Sequence, residues 1–260
     1  MRSGLHAMRV FALSDIHVDY DANLQWVRQL SRTDHVDDVL ILAGDVSHRP
    51  ALLLECLDTL ARRFRQVFFV PGNHDLWVLG DAQGGDSLLK FARVREAVAS
   101  CGAGMEPQQL GPWFFMPLLG WYDYSFGEPD PQLQQAWADF RACRWPAHMQ
   151  PADVAAHFEA LNPQVQPPAG SRVITFSHFM PRLDLIPAIV PKQHRMLDPV
   201  LGSTRIETAL RGFKAEIHVY GHSHINRNVV LDGVRYVNSA FGYPHETRIS
   251  ARQLLCVAQG

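Results

Sequence analysis

The stretch VFFVPGNHDLW, residues 67–77, sets an apolar run directly against a polar cluster. Its four leading apolar residues predict a buried strand, which the Pro-Gly pair ends. Asn73, His74 and Asp75 come next, so donors, acceptors and a titratable ring stand at the carboxyl end of that strand. Because Asn and Asp also favour turns for backbone reasons, an ordinary turn and part of an active site are both open interpretations.

Around this stretch, short apolar runs alternate with amphipathic segments. The runs are continuous rather than alternating apolar and polar, which is typical of parallel strands covered on both faces. The sequence therefore predicts an α/β fold that begins β-α-β-α-β-α. The predicted strands lie in MRVFALSD (8–15), DVLILAGD (38–45) and QVFFVPG (66–72), and the predicted helices lie at 23–30, 50–64 and 87–100.

Residues from about 121 to 170 interrupt this pattern. Helical spacing there predicts helices over 132–141 and 153–161, so we interpret about 121–170 as a cap or insertion in a single domain of residues 1–260. Strands return afterwards, with a hairpin turn at Asp232-Gly233. A helix over 204–212 is expected to start with a Thr204/Glu207 capping box and to end with Gly212 at C′.

The composition restricts the class of protein. Of 260 residues, 47% are hydrophobic and 19% charged, which is compatible with a sizeable core. The net charge of −2 argues against a general nucleic-acid binder. No apolar run approaches the ~20 residues that cross a bilayer, and the start lacks the apolar stretch of a signal peptide. With four scattered cysteines read as reduced thiols, we expect a cytoplasmic protein without membrane association.

Polar side chains follow five predicted strands at the same end of each. Taken singly, each cluster has an ordinary explanation as a turn or a hydrogen-bonded core histidine. Together they lie at the sheet edge where α/β proteins bind ligands, and they offer only oxygen and nitrogen donors, which suit Mn, Fe or Zn. The seven candidate metal ligands are Asp15, His17, Asp45, Asn73, His178, His222 and His224.

Seven donors exceed what one ion with several water ligands would use. Two ions that share a carboxylate would use them all, and ion pairs ~3.5–4 Å apart are typical of enzymes that cleave phosphate esters. A dinuclear metal site is therefore the hypothesis that the donor count favours.

The motifs DIH, GD, GNHD, an isolated SH, and GHSH, in this order from Asp15 to His224, resemble those of the calcineurin-like metallophosphoesterases. The resemblance implies a four-layer α/β/β/α sandwich with a dinuclear centre. By position, it implies one metal on Asp15, His17 and His224, a second on Asn73, His178 and His222, and a bridging Asp45. His74 matches the catalytic histidine of the GNH motif, which lies near the leaving-group oxygen as general acid or phosphate contact.

This resemblance implies a metal-dependent phosphoesterase that attacks a phosphodiester or phosphomonoester with a metal-bridging hydroxide. Gly72 is expected to let the backbone turn towards the metals, and Asp75 to orient the loop. One departure is informative, because the string GDVSHRP replaces the GDxVDRG of the protein phosphatases in this superfamily. His48 stands where those enzymes carry the aspartate that supports the catalytic histidine, which indicates a branch other than the protein phosphatases.

The substrate is less well determined. Arg49, Lys192, His194 and Arg195 are possible substrate-binding residues, although each also has an ordinary explanation on the surface. The aromatic residues of 113–145 either pack the core and cap or form an apolar wall that stacks a nucleobase. A small-molecule phosphoester such as a nucleotide is the expected substrate. The alternatives are a catalytically silent binding scaffold of the same fold and a nuclease; the sequence leaves the oligomeric state open.

Overall fold

The computed structural model describes residues 7–260. Within them the chain forms ten strands and eight α-helices, with short 3₁₀ turns at His74–Leu76, Leu183–Leu185 and Lys192–Leu197. The strands are β1 Arg9–Leu13, β2 Val39–Ala43, β3 Gln66–Val70, β4 Gln108–Leu110, β5 Trp113–Pro117, β6 Arg172–Phe176, β7 Ile217–Tyr220, β8 Arg227–Leu231, β9 Val234–Asn238 and β10 Leu255–Gln259. The helices are α1 Asp21–Gln29, α2 Pro50–Ala61, α3 Ser87–Ser100, α4 Pro131–Ala136, α5 Asp139–Ala142, α6 Pro151–Ala160, α7 Asp198–Leu201 and α8 Thr204–Gly212.

The strands form two sheets. The first has four strands in the order β10-β1-β2-β3, of which β1, β2 and β3 are parallel and β10 is antiparallel to β1. The second has six strands in the order β4-β5-β6-β7-β9-β8, and its central strands β5, β6, β7 and β9 are parallel. Antiparallel β4 and β8 complete its two edges.

Three apolar layers hold the two sheets and their helices together. One face of each sheet packs against the other sheet, and this layer includes Val10, Ile41, Phe68, Phe115 and Val219. The outer face of the first sheet packs against α1, α2 and α3, and the outer face of the second packs against α4, α6 and α8. Because both faces of every central strand are buried, their sequences read as continuous apolar runs. The predicted four-layer α/β/β/α sandwich is confirmed.

Several local predictions can be compared with the structure. The β-α-β-α-β-α start is confirmed, and so is the hairpin, whose Asp232 and Gly233 have φ of 49° and 83°. The cysteines are free thiols. Among the described residues no helix has the length and apolar character that crossing a membrane requires.

Two predictions about the ends of α8 were wrong. The capping box on α8 fails because the N-cap is Ser203, whose hydroxyl accepts from the Arg205 amide, while the Glu207 carboxylate instead accepts from Tyr236. Gly212 is the last helical residue rather than C′, and Lys214 takes the left-handed conformation with φ of 55°.

The single helix predicted over 132–141 is in fact α4 and α5. The chain leaves helical geometry at Trp137, whose φ and ψ are −71° and 122°. This break turns the start of α5 inwards and buries Asp139.

The loops that follow β2 and β3 are held together by one carboxylate. Asp75 is fully buried, and its two oxygens accept backbone N–H groups from Asp45, Val46, Ser47 and Gly72, each at 2.9 Å. The expectation that Asp75 orients the loop thus has a structural basis, because four buried donors converge on its side chain.

We expect Asp75→Ala to lower the free energy of unfolding by at least about 3 kcal/mol, because four buried N–H groups would lose a charged acceptor and each unsatisfied group costs about 1–3 kcal/mol. Urea unfolding measures this change. Asp86→Ala is the control, since Asp86 caps α3 through a single bond to the Leu89 amide and should cost only about 1 kcal/mol. Equal losses in the two variants would contradict the role assigned to Asp75.

Candidate metal centre

The loops after five strands meet at one edge of the sandwich. Asp15, Asp45 and Asn73 follow β1, β2 and β3 of the first sheet, whereas His178 and His222 follow β6 and β7 of the second. These side chains are all buried. Because parallel strands end at the same edge, stacking the two sheets brings residues from distant parts of the sequence into one cluster.

The backbone at this edge is held in an uncommon conformation. Asp15, His17, Asp45, His222 and His224 all have positive φ, between 41° and 69°. Aspartate and histidine tolerate this left-handed region better than most residues with a side chain, but each instance still costs of order 1–3 kcal/mol. The surrounding packing therefore offsets the free-energy cost of a backbone conformation that directs these side chains towards one another.

The first group of donors contains Asp15, His17, Asp45 and His224, whose ligand atoms all lie within 4.8 Å of one another. The Nε2 atoms of His17 and His224 are 3.1 Å apart, and His224 Nε2 lies 3.4 Å from Asp15 Oδ1. His17 Nε2 is 3.9 Å from Asp45 Oδ2. Two imidazole nitrogens and two carboxylates thus surround a common point.

The second group contains Asp45, His178 and His222, again within 4.8 Å of one another. His178 Nε2 lies 3.1 Å from His222 Nδ1, 3.1 Å from Asn73 Oδ1 and 3.5 Å from Asp45 Oδ1. Asp45 therefore belongs to both groups, with Oδ1 towards the second and Oδ2 towards the first. The structure brings together all seven residues that the sequence predicts as metal ligands.

Outer partners fix the orientation of these side chains. The second ring nitrogen of His178 bonds the Ala43 carbonyl at 2.9 Å, and that of His222 bonds the Val200 carbonyl at 3.0 Å. His224 Nδ1 lies 2.6 Å from Glu246 Oε2. Such contacts set the tautomer and direct the other nitrogen inwards, as they do around metal-bound histidines.

The pKa values of the buried donors at the centre are shifted in ways that suit the binding of a cation. Burial and the carboxylates of Asp15 and Asp75 raise the pKa of Asp45 well above its usual range. Burial also lowers the pKa of His17 to about 3 and lowers the pKa of His178, so both rings are neutral with free lone pairs. Although burial opposes it, the Asp15 and Glu246 carboxylates raise the pKa of His224 to about 10.

The raised pKa values of Asp45 and His224 mean that a proton competes with a metal for both donors. A divalent cation would bind their unprotonated forms, because a metal ligand must offer an unprotonated donor. The donor set of carboxylate, amide and imidazole atoms, without a thiolate, fits Mn, Fe or Zn. The residues present therefore fit divalent metal ions on both donor groups.

His74 stands at the rim of the same cluster. Its Nε2 is 3.9 Å from Asp45 Oδ2, its backbone N–H donates to Asp45 Oδ1 at 2.9 Å, and its ring stacks on Trp77 with the centroids 3.6 Å apart. Burial and the neighbouring His17 lower the pKa of His74 well below its ordinary value. His74 is therefore neutral in the free site, and within residues 7–260 as described it has no carboxylate as close as Glu246 is to His224.

The departure at His48 has a visible consequence. His48 Nδ1 lies 3.3 Å from Asp19 Oδ1, which also accepts the Ser47 hydroxyl, so His48 pairs away from His74. Trp77 lies between the two histidines, with its centroid 6.0 Å from that of His48. An aromatic ring thus supports His74 where the protein phosphatases use an acid.

The possible substrate-binding residues are less clearly directed at the centre. Arg49 is largely exposed, with Nε 3.7 Å from Asp19. Arg195 donates from Nε to both carboxylate oxygens of Asp198. The side chains of Lys192 and His194 lie outside the described part of the structure. Arg49 remains accessible to a ligand, whereas Arg195 is already engaged.

Two residues at the site were missed in the sequence. Glu246 fixes His224, and Asp139 accepts the Asn73 side-chain amide at 2.8 Å. Asp139 is buried, which raises its pKa despite three N–H donors. Neither residue stands in a motif. The only available signal was an acidic residue placed among aromatic ones, in AWADF for Asp139.

Most of the aromatic residues of 113–145 pack in the interior. Trp113, Trp121 and Tyr122 are almost fully buried, whereas Phe140 is partly exposed. Trp137 reaches the centre, with its ring centroid 5.7 Å from that of His222. Core packing therefore accounts for most of this set.

Glycines give the ligands space to approach. A Cβ on Gly44 would lie 2.5 Å from the His178 ring, and one on Gly72 would lie 2.1 Å from Asp45 Oδ1. Gly44 also has φ of 82°. Gly72 does not have positive φ, so the expectation that its conformational freedom allows a sharp turn is corrected. This position requires glycine because a Cβ would collide with the Asp45 carboxylate.

The comparison with known families decides the identity of the fold. Residues 8–226 match the family described as calcineurin-like phosphoesterase, and this span contains all five motif loops. The chain belongs to the calcineurin-like phosphoesterase family. It is accordingly a metal-dependent enzyme that hydrolyses phosphoesters, and the scaffold alternative is not supported.

Among relatives of this phosphoesterase, the acyl-carrier-protein phosphodiesterase PptH of Mycobacterium tuberculosis is 29% identical over 268 residues, which cover 92% of this chain and 79% of that enzyme. The crystal structure of phosphopantetheinyl hydrolase (PptH) from Mycobacterium tuberculosis has a TM-score of 0.76 at 26% identity and covers 96% of both chains. The symmetrical bis(5'-nucleosyl)-tetraphosphatase of Actinobacillus succinogenes is 31% identical over 113 residues, but this covers only 43% of this chain and 39% of that enzyme.

For this phosphoesterase we expect Gly72→Ala to reduce the metal bound per chain by more than half, because the new Cβ would displace the Asp45 carboxylate that both donor groups use. Elemental analysis after gel filtration measures the metal. Gly212→Ala is the matched control, since a Cβ at that position meets nothing within 4 Å. A Gly72→Ala protein with its full metal content would show that the loop relaxes without disturbing Asp45.

Proposed function

We propose that this phosphoesterase binds two divalent ions, of Mn, Fe or Zn. One ion would be held by Asp15, His17 and His224 and the other by Asn73, His178 and His222, with Asp45 shared between them. The proposal is supported by the two donor groups, which have Asp45 in common. When bound, such ions would neutralise phosphoryl oxygens and make a water molecule acidic enough to react near neutral pH.

We further propose that the substrate is the phosphodiester that joins a phosphopantetheinyl group to an acyl carrier protein. One observation carries this proposal: the similarity to PptH extends over nearly the whole of both folded chains. The match to the bis(5'-nucleosyl)-tetraphosphatase covers less than half of either protein. A protein-bound diester thus replaces the expected free nucleotide as the preferred substrate.

His74 is proposed to act on the leaving oxygen. The oxygens of this diester are attached to aliphatic carbon, and an alkoxide needs a proton or strong charge stabilisation to depart. The ring is neutral in the free site, but an anionic phosphate bound beside it would favour its protonated form. Stacking on Trp77 limits the orientations of the ring and keeps Nε2 beside the donor cluster.

The substrate proposal predicts that the purified protein, supplied with Mn²⁺, releases phosphopantetheine from a holo-acyl carrier protein and leaves the apo-carrier. Intact-protein mass spectrometry follows both carrier forms. Asp45→Asn should lose at least about 10³-fold in rate, because both donor groups lose a charged ligand and a removed metal removes several kcal/mol of transition-state stabilisation. Chelation of the wild type should have the same effect.

A diadenosine tetraphosphate substrate, assayed in parallel, tests the alternative. Hydrolysis of the nucleotide with no reaction on the carrier protein would overturn the substrate proposal and leave the phosphoesterase assignment intact.

The role of His74 predicts a dependence on the leaving group. His74→Ala should lower kcat/KM by ~10²–10⁴-fold on a phosphodiester with an alkyl leaving group, and clearly less on the same core with a nitrophenyl leaving group, which departs without a proton. Metal content should stay at the wild-type value.

Asn73→Ala is the matched comparison in the adjacent position. It should lose metal and slow both substrates alike, because Asn73 is proposed as a ligand. Equal losses on the two substrates in metal-replete His74→Ala would rule out proton donation and assign His74 to phosphate positioning.

A further inference from the structure

The inserted segment, residues 121–170, supplies one carboxylate to the metal centre. Asp139 begins α5, is 2% exposed, and accepts three side-chain N–H groups. Its Oδ1 accepts from Asn73 Nδ2 at 2.8 Å and from Trp77 Nε1 at 2.7 Å, and its Oδ2 accepts from Trp137 Nε1 at 2.8 Å. A buried carboxylate in a part of the chain without a recognised motif is thus fully engaged with residues of the site.

We propose that Asp139 is a positioning residue that sets both the orientation of the Asn73 amide and the ring beneath His74. The inserted segment would then be part of the catalytic apparatus rather than a passive cover. This inference rests on the proposed function, in which Asn73 is a metal ligand and His74 acts on the leaving group.

The first step concerns the amide of Asn73. The carbonyl and amino ends of an asparagine side chain are nearly equal in size, so shape alone does not decide which end faces a metal. An ionised carboxylate only accepts hydrogen bonds, and Asp139 therefore selects the amino end of Asn73. The carbonyl end is left facing the centre, where Oδ1 lies 3.1 Å from His178 Nε2.

The second step concerns Trp77. Its indole N–H bonds the same oxygen of Asp139 that accepts from Asn73. This contact fixes the rotation of the indole, on which the His74 ring stacks at 3.6 Å with an interplanar angle of 27°. One oxygen atom therefore sets the position of a proposed ligand and of the proposed proton donor.

The third step is that the two acids in the neighbouring loops, Asp75 and Asp45, are already engaged elsewhere. Asp75, in the same loop as Asn73, has both oxygens engaged by four backbone N–H groups. Asp45 faces the two donor groups. The acceptor for Asn73 and Trp77 is instead Asp139 of α5, which lies 66 residues along the chain from Asn73. The interruption of helical geometry at Trp137 lets Asp139 reach the site.

Asp139→Asn and Asp139→Leu test the inference, with metal affinity as a readout that needs no substrate. Titration of the metal-free protein with Mn²⁺ should show two binding steps in the wild type. In both variants one step should weaken by ~10–100-fold, the usual loss for an outer partner of a metal ligand, while the other stays within about twofold. Asp130→Asn is the matched control, because Asp130 lies in the same segment and only caps α4.

A rescue separates positioning from general stability. In Asp139→Asn the amide oxygen can still accept from Asn73 and Trp77, but its amino group then faces the Trp137 indole N–H. Trp137→Phe removes that donor. The double variant Asp139→Asn/Trp137→Phe should therefore bind the weakened metal at least tenfold more tightly than Asp139→Asn does. Near-ultraviolet circular dichroism checks that each variant is folded.

The outcomes are distinguishable. Two wild-type metal affinities in folded Asp139→Leu would overturn the inference, as would an Asp139→Asn variant that the Trp137 substitution fails to rescue. A wild-type protein that binds both metals but leaves the carrier protein uncleaved would count against the proposed substrate alone. A wild type that binds a single metal would overturn the dinuclear assignment and this inference with it.

Discussion

The shared carboxylate of Asp45 is the constraint on which the rest of the centre depends. It is buried between two donor groups, each of which draws side chains from loops of both sheets, and its own pKa is raised by that burial and by Asp15 and Asp75. A negative charge is unfavourable there without a cation, so the arrangement favours metal binding over an empty site.

The sandwich satisfies this constraint with a well-packed core and with strained loops at the ends of its strands. The central strands are buried on both faces and provide a stable base, with each buried large apolar side chain contributing about 1.5–3 kcal/mol. That stability offsets five left-handed residues among the ligands and a close approach that only glycine permits at positions 44 and 72. Strain is thus concentrated where the side chains must converge.

Three carboxylates around the proposed ligands have different roles. Asp75 collects backbone N–H groups and holds two loops together, Glu246 orients the His224 ring, and Asp139 accepts from side chains of the GNHD loop. These acids lie outside the seven predicted ligands, and two of them come from segments that the family motifs do not cover. The geometry of the centre therefore depends on parts of the chain that lie outside its motifs.

The sequence by itself determined the family, the parallel strands and the seven candidate donors, because each follows from short local patterns in which an apolar run ends in a polar turn. The family resemblance already implied a bridging Asp45, but only the stacking of the two sheets shows which of its oxygens faces each donor group. Tertiary structure was likewise needed to show that glycine is required at position 72 because a Cβ would collide with Asp45. The partners Asp139 and Glu246 were also decided only by tertiary structure. Asp139 meets Asn73 across 66 residues, and its approach depends on a helix break at Trp137 where helical spacing predicts one continuous helix. Periodicity reports which face of a segment is buried, but it carries no information about which distant side chain that face will meet.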